Sequence, residues 1–532
     1  MGEQFGDGTD PLLFLRPATM VDNQGNFFMA VEYSFGVDGY WIRLGKNASS
    51  QKYIAPWKEI GEWGENPPYT QRNYPKLVQD NSSYMNEFKN HVHNLFQHSI
   101  AQEMDTGTYD HFYLLTYMPP ARYNDNYSGL LNKPELEGLI VLKIAKSDFS
   151  IVDKKLLDAQ TYPTLAYNRT PIPTYKWSYS KFNLLEGSCH GFVDNGYLYI
   201  HYSAMSTDYA DLQNTYYMKL DISDLRVTES GESPIGNTNL KSASTQYIPR
   251  FSKLDDKVYF GHINGGYYYL LGSQTSSEIK WRSRVVPALY LVTTQDGSCS
   301  STTFHSDFCM VKSDTGIPIW CVLCFNSKAT RGSHCVPEYN WDSTYMNWSP
   351  ENVCLCVYSY PLSTTEDYNN FGDIAQGIVY PSDTLYSTTL IQNCSSWANT
   401  STGNYISTAQ ESTKSDFYRL YLNTHKIVPY TSPSGKRYFI FAYCYPGKKT
   451  HAYIGYCTYS INSSNFVHLN TKTILRAPNS DDDWSDSFSF LTNCSRIISL
   501  DVKNNLVWMT WMSADNTTYY CCAIKASNLI PE

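Results

Sequence analysis

The chain has 532 residues, of which 42% are hydrophobic, 15% aromatic and 17% charged, with a formal net charge of -9. That apolar content excludes a disordered chain, and scarce charged helix formers exclude a coiled coil. The mildly acidic balance has no Lys/Arg run, which excludes a phosphate-binding footprint and a nucleic-acid partner.

No stretch reaches the ~18 consecutive apolar residues of a membrane span. Met1 to Asp10 lacks the basic-then-apolar layout of a signal peptide. The 46 Tyr, with many Asn, Ser and Thr, favour extended backbone and turns, because aromatic and β-branched side chains suit a pleated surface.

One unit recurs along the chain: a polar turn, an apolar strand, a loop and a second apolar strand. It begins with Asp22-Asn23-Gln24-Gly25 before Phe27 to Tyr33, followed by Tyr40 to Leu44. It returns at Asp105-Thr106-Gly107 with Phe112 to Met118 and Leu139 to Ile144, and at Val193-Asp194-Asn195-Gly196 with Tyr197 to Tyr202 and Tyr216 to Ile222. Asp255-Asp256 precedes Val258 to Ile263 and Tyr267 to Leu271. Ser313-Asp314-Thr315-Gly316 precedes Ile319 to Phe325 and Val353 to Tyr360. The last two copies are Ser434-Gly435-Lys436 with Tyr438 to Tyr445 and Ala452 to Tyr459, then Lys503-Asn504-Asn505 with Leu506 to Met512 and Tyr519 to Ala526.

Turn residues at a fixed place and runs of strand length predict hairpins in series. Runs such as Ile319 to Phe325 and Leu506 to Met512 are apolar on both faces, the pattern of sheets packed face to face on both sides, as propeller blades are. Outer strands are expected at Gln51 to Trp57, Phe149 to Leu156, Leu225 to Glu229, Ile279 to Val285 and Phe466 to Ile474. The reading is therefore all-β: a single β-propeller domain over 1–532, with four-stranded antiparallel blades, seven in number with six as the alternative. Pro11 to Leu15 is expected to pair with the final blade and close the ring, removing exposed edges. Met85, Phe88, Val92, Leu95, Phe96 and Ile100 fall at amphipathic spacing and predict a helical insertion over 78–104. Residues 363–414 are read as a long loop or an extra hairpin.

Of 14 Cys, only Cys189 precedes Cys299. Cys444 and Cys457, in paired runs, are the expected disulfide. Ten N-x-Ser/Thr sequons occur, at Asn47, Asn81, Asn126, Asn168, Asn347, Asn393, Asn399, Asn462, Asn493 and Asn516. Together these suggest an extracellular or virion-surface glycoprotein. The acidic run Asn479 to Asp483 with Asp486 offers oxygen atoms to Ca2+ but lacks the spacing of an EF-hand loop and reads as a solvated turn. His91, His93 and His98 lie on the expected helix as polar-face residues. No metal site and no cofactor are expected.

Phe14-Leu15-Arg16-Pro17-Ala18, followed by the Asp22 turn and Phe27, resembles the opening blade of sialidase-type propellers. That resemblance implies that Arg16 binds a substrate carboxylate through its planar fork. Pro17 directly after Arg16 departs from the family motif, and its Asp-box is not reproduced; Ser313 to Gly316 with Trp320 is the nearest approach. A weaker resemblance, on Thr492-Asn493-Cys494, Leu506 to Met512 and the sequons, is to the heads of paramyxovirus-type attachment glycoproteins, and implies receptor binding without hydrolysis. Trp57, Trp63, Tyr175, Trp177 and Tyr179 lie in aromatic loops suited to stacking on a sugar.

The expected function is a non-catalytic, attachment-type propeller that binds a glycan or a cell-surface protein receptor, with a homo-oligomer left open. The alternatives are a sialidase-like or other carbohydrate-active enzyme, and a structural or assembly protein.

Overall fold

The structure, a computed structural model, describes residues 18–34, 40–46, 58–59, 98–105, 107–118, 138–165, 182–184, 189–206, 213–232, 248–264, 267–274, 279–286, 302–327, 353–362, 386–391, 425–444, 452–465, 467–474, 496–512 and 519–530. The chain divides into two compact units. The N-terminal unit comprises 5–243 with 247–249, and the C-terminal unit comprises 1–4, 244–246 and 250–532.

Three sheets lie in the N-terminal unit. The first runs in order through β1 (Ala18–Val21), β2 (Phe27–Ser34), β3 (Tyr40–Lys46) and β4 (Lys58–Glu59). The second contains β5 (His98–Ile100), then, after the two-residue β6 (Gln102–Glu103), β7 (His111–Met118), β8 (Gly138–Ala145) and β9 (Ile151–Asp158). The third adds β10 (Phe182–Leu184), β11 (His190–Asp194), β12 (Tyr197–Ser206), β13 (Gln213–Asp221) and β14 (Val227–Glu232). Here β6 leaves its own sheet and pairs in parallel with β11, Val193 facing Glu103.

The C-terminal unit repeats the plan. Its sheets are β15 (Ile248–Leu254), β16 (Lys257–Asn264), β17 (Tyr267–Gln274) and β18 (Ile279–Val286); β19 (Thr302–Lys312), β20 (Pro318–Ser327), β21 (Val353–Pro361) and β22 (Tyr386–Ile391); and β23 (His425–Thr431), β24 (Arg437–Cys444), β25 (Ala452–Ile461) and β26 (Val467–Ile474). The last sheet has β27 (Arg496–Lys503), β28 (Leu506–Met512) and β29 (Tyr519–Lys525), followed by the one-turn helix α1 (Ala526–Leu529). The chain is thus all-β and built of propeller-type blades, antiparallel meanders in which, β6 and β10 aside, each strand pairs with the next one along the chain.

Local chemistry fixes each inner hairpin. Asp22 Oδ1 accepts the N–H groups of Gln24 (3.0 Å) and Asn26 (2.7 Å), and Gly25 takes φ 78°. Ser313 and Ser432 do the same with their hydroxyls, accepting from Ile317 N (2.9 Å) and Lys436 N (3.1 Å), with Gly316 and Gly435 at positive φ. A side-chain acceptor followed three residues later by glycine is thus used three times. At Asn195-Gly196 and Asn504-Asn505 both residues take positive φ, the two-residue turn whose twist matches the strands.

Between the turns, apolar residues occupy both faces. On β24, Tyr438, Ile440 and Ala442 pack with Ile497, Val507, Met509 and Trp511 of the last sheet. The alternate residue Phe439 stacks on Tyr459 at 4.2 Å. In the N-terminal unit Phe28 meets Phe112 at 5.1 Å, while Leu115, Leu139 and Val141 pack with Leu198 and Ile200 of the third sheet. Each fully buried Phe or Leu contributes about 1.5–3 kcal/mol, so an interior sheet is held from both sides.

Two expectations are corrected here. His98 and Ile100, placed on the 78–104 helix, lie instead in β5, and Gln102–Glu103 form β6. Spacing of three and four residues does not distinguish a helix end from a short strand when both are apolar; Met85 to Phe96, His91 and His93 lie outside the described residues. Within 363–414, β22 pairs with β21 as an outer strand, and 363–385 and 392–414 lie outside the described residues. The hairpin register sets Cys444 opposite Ala452 and Cys457 opposite Phe439, so β24 and β25 do not bring the two cysteines face to face. Pro11 to Leu15 lies outside the described residues.

Candidate functional site

The innermost strand of each sheet has a trailing end, where it turns into the second strand, and a leading end. In the N-terminal unit the trailing end is a closed network. Lys146 Nζ donates to Glu103 Oε1 (2.5 Å) and lies 3.2 Å from Asp22 Oδ2. Asn23 N donates to Glu103 Oε2 (3.3 Å), and Asn23 Nδ2 donates to the carbonyls of Gly107 (3.1 Å) and Asp105. Asp105 in turn accepts from Tyr109 Oη and from Asn195 N (2.9 Å). Asp22 is 0% and Glu103 4% exposed. Burial holds the Glu103 carboxyl above its ordinary range, against the lowering effect of Lys146. These groups are engaged in joining three sheets.

In the C-terminal unit the trailing turns are also tied together, by Lys312 with Asp255 (2.5 Å), Arg437 with Asp314 (2.5 Å) and Thr315 with Asn465 (3.1 Å).

The leading ends differ. In the N-terminal unit Ser99 of β5 brings its hydroxyl 3.3 Å from Nδ1 of His190, the first residue of β11. His201 lies opposite His190 in the register and stacks on Phe192 at 5.9 Å. In the C-terminal unit the inner strands β15, β19 and β23 run side by side in one direction. Met310 N donates to Ser252 Oγ (3.0 Å), each three residues before its turn, and Ile427 N donates to Asp307 Oδ2 (3.0 Å). The leading halves of these three strands accordingly share one end, and their sequence places Arg250, His305 with Asp307, and His425 with Lys426 there; Arg496 opens β27, which packs against β23. Bulges interrupt β19 between His305 and Asp307 and β27 between Ile497 and Ser499. A bulge re-aims the side chains beside it, a device common next to active sites. Asp307 is 8% exposed and Lys426 3%.

A carboxylate such as that of Asp307 can exchange a proton and accept hydrogen bonds from an oxygen-rich ligand. Among the described residues no group of three or more His, Cys, Asp or Glu is arranged to hold a metal ion, and no helix is long and apolar enough to cross a membrane.

Of the residues expected from sequence, Arg16, Trp57, Trp63, Tyr175, Trp177, Tyr179 and the Asn479 to Asp486 turn lie outside the described residues, as do all the sequon asparagines but one. Asn462 is exposed in the β25–β26 turn, its Oδ1 accepting Ser464 N at 3.0 Å. Ser99, His190, Asp307 and the Arg and His residues at the leading ends were not singled out. The available signal was their recurrence, one or two per repeat, a few residues before each inner turn.

No family model and no curated protein matches the sequence. Solved structures align with it at low identity. An α-L-arabinofuranosidase from Fusarium graminearum covers 99% of this chain and 98% of its own at 10% identity, with a TM-score of 0.39. An α-L-arabinanase from Penicillium chrysogenum covers 99% and 97% at 9% identity, TM-score 0.37. A levansucrase from Bacillus subtilis covers 68% and 90% at 12% identity, TM-score 0.30. These proteins are carbohydrate-active enzymes by name, and the expectation of a non-catalytic attachment protein is withdrawn. Likeness at that level assigns neither a reaction nor a residue to this chain. The fold class, an all-β propeller type, stands on the sheets themselves.

Proposed function

We propose that the chain is a carbohydrate-active enzyme that cleaves or transfers a glycosyl group on a saccharide bound across the leading ends of the inner strands. The observation that supports this reading is the placement of Arg250, His305, Asp307 and His425 at one end of three neighbouring strands in one unit. The opposite, trailing end has its charged groups engaged in sheet-to-sheet bonds. Asp307 is the carboxylate assigned to proton exchange; its bond to Ile427 N fixes the side chain, and a register shift lies just before it. Arg and His are residue types that bind the hydroxyl and carboxylate oxygens of a sugar. The ten sequons, with Asn462 exposed in a turn, favour a glycosylated protein acting outside the cell on a glycan partner.

The test is release of reducing sugar or nitrophenol from a panel of plant, bacterial and animal polysaccharides and nitrophenyl glycosides. Turnover of one class is expected, lowered about 100-fold or more by Asp307→Asn with an unchanged circular dichroism spectrum. A panel with no turnover removes the enzymatic reading. Full activity in Asp307→Asn removes the assignment of that residue.

A further inference from the structure

We infer that Cys309 and Cys321 form a thiol oxidation site in the C-terminal unit, closing as a cross-strand disulfide between β19 and β20 when the chain meets a small-molecule disulfide. The register sets Cys309 directly opposite Cys321. Directly opposed residues in an antiparallel pair have Cα atoms about 4.5–5.5 Å apart, inside the range of about 4.4–6.8 Å that a disulfide spans. Both are free thiols, and they lie within hydrogen-bonding reach of each other. Neither is part of the leading-end site or of the blade-locking bonds.

A third cysteine makes the choice of pairing a real one. Cys457 of β25 comes close enough to Cys309 to act on it electrostatically, and Tyr459 lies near all three cysteines. Cys457, however, belongs to the neighbouring sheet, where it faces Phe439. A bond to it would pull two packed sheets together, whereas Cys309 and Cys321 already share one ladder. Register therefore favours the pair within the sheet.

The exchange balances without a metal. One protein thiolate attacks the small disulfide and releases one small thiol, and the second protein thiolate displaces the other from the mixed disulfide. Two protein thiols are oxidised and one small disulfide is reduced to two thiols, the two protons of the protein thiols passing to the departing small thiolates. Cys309 is 3% and Cys321 0% exposed. Burial also pushes the Cys309 thiol well above its ordinary range, so little thiolate exists in the closed core. Oxidation consequently proceeds through opening of the hairpin, during folding or by local unfolding.

The full-length chain would be incubated with oxidised glutathione at a urea concentration just below its unfolding transition, alkylated under denaturing conditions, digested and read by mass spectrometry. The expected product is a peptide joining Cys309 to Cys321, lighter by two hydrogens than the two reduced peptides. Its thermal midpoint should rise by about 5 °C over the reduced chain, as expected for a short closed loop. Cys457→Ala should still yield the linked peptide and Cys321→Ala should not. Recovery of Cys309 and Cys321 as alkylated thiols, or of Cys309 joined to Cys457, would overturn the inference.

Discussion

The Lys146 ammonium sits 2.5 Å from Glu103 Oε1, joining the end of β8 to the end of β6 inside the N-terminal unit. With Asp22 Oδ2 at 3.2 Å on its other side, Lys146 is the cation between two buried carboxylates. Lys146→Met leaves both carboxylates without it. Removing one partner of a buried ion pair costs about 3–5 kcal/mol, so urea unfolding should show a loss of that order. Lys146→Arg should lose less. A loss under about 1 kcal/mol for Lys146→Met would show that the turn bonds of Asp22 and Asn23 hold the three sheets without the cation.

Glu103 also gives this unit a pH dependence of definite sign. Its folded carboxyl titrates above the ordinary value, chiefly because of burial and despite Lys146. Between the unfolded and the raised folded value the native state therefore binds more protons than the unfolded chain. Stability from this group is complete below the unfolded value and is lost as pH rises through the folded one. Measured against Glu103→Gln, the wild-type advantage should shrink with rising pH across that window and then level off. An advantage that grows with pH would mean that the Lys146 pairing outweighs desolvation.

The blades were legible because turn chemistry and apolar runs coincide. The outer strand expected at Phe149 to Leu156 is β9 at Ile151–Asp158, and that expected at Phe466 to Ile474 is β26 at Val467–Ile474. What failed was β5 and β6, five strand residues with one residue between them, too few for a period to show. The candidate site was legible only in retrospect. His190, His425 and Arg496 each open an inner strand, but a single basic residue at a strand start has no motif. Its meaning comes from neighbouring strands that lie far apart in sequence and side by side in a blade-built fold.

Gly138 opens β8 at φ 149°, and a Cβ added there would run into the carbonyl oxygen of Leu157 on β9. That neighbour is backbone in a paired strand and cannot rotate away. Gly138→Ala must shift the β8–β9 pairing at its first rung as well as adopt a φ that L residues avoid, and should cost more than about 2 kcal/mol. Denaturant unfolding checks this. Gly196→Ala provides a comparison in which nothing lies within 4 Å of the added carbon, so only the backbone penalty at φ 81° remains. Gly138→Ala should be the more destabilising of the two.

The turn between β27 and β28 is open to improvement. Asn504 and Asn505 take φ of 51° and 58°, both in the left-handed region, and both side chains are exposed. Asparagine tolerates that region better than most residues, but glycine enters it without the Cβ penalty and Asn-Gly is the favoured pair for this turn. The carbonyl of Asn505 accepts the N–H of Ala526 at 2.8 Å, a backbone bond that a glycine retains. Asn505→Gly should therefore stabilise the last sheet by about 0.5 kcal/mol, the relief of the left-handed strain less the greater entropy of glycine in the unfolded chain. Asn504→Gly, which puts glycine at the position where asparagine is favoured, should gain less. The comparison is read as a shift of the urea midpoint at constant slope, and a loss of stability in Asn505→Gly would mean that the Asn505 side chain contributes a bond worth more than the strain it carries.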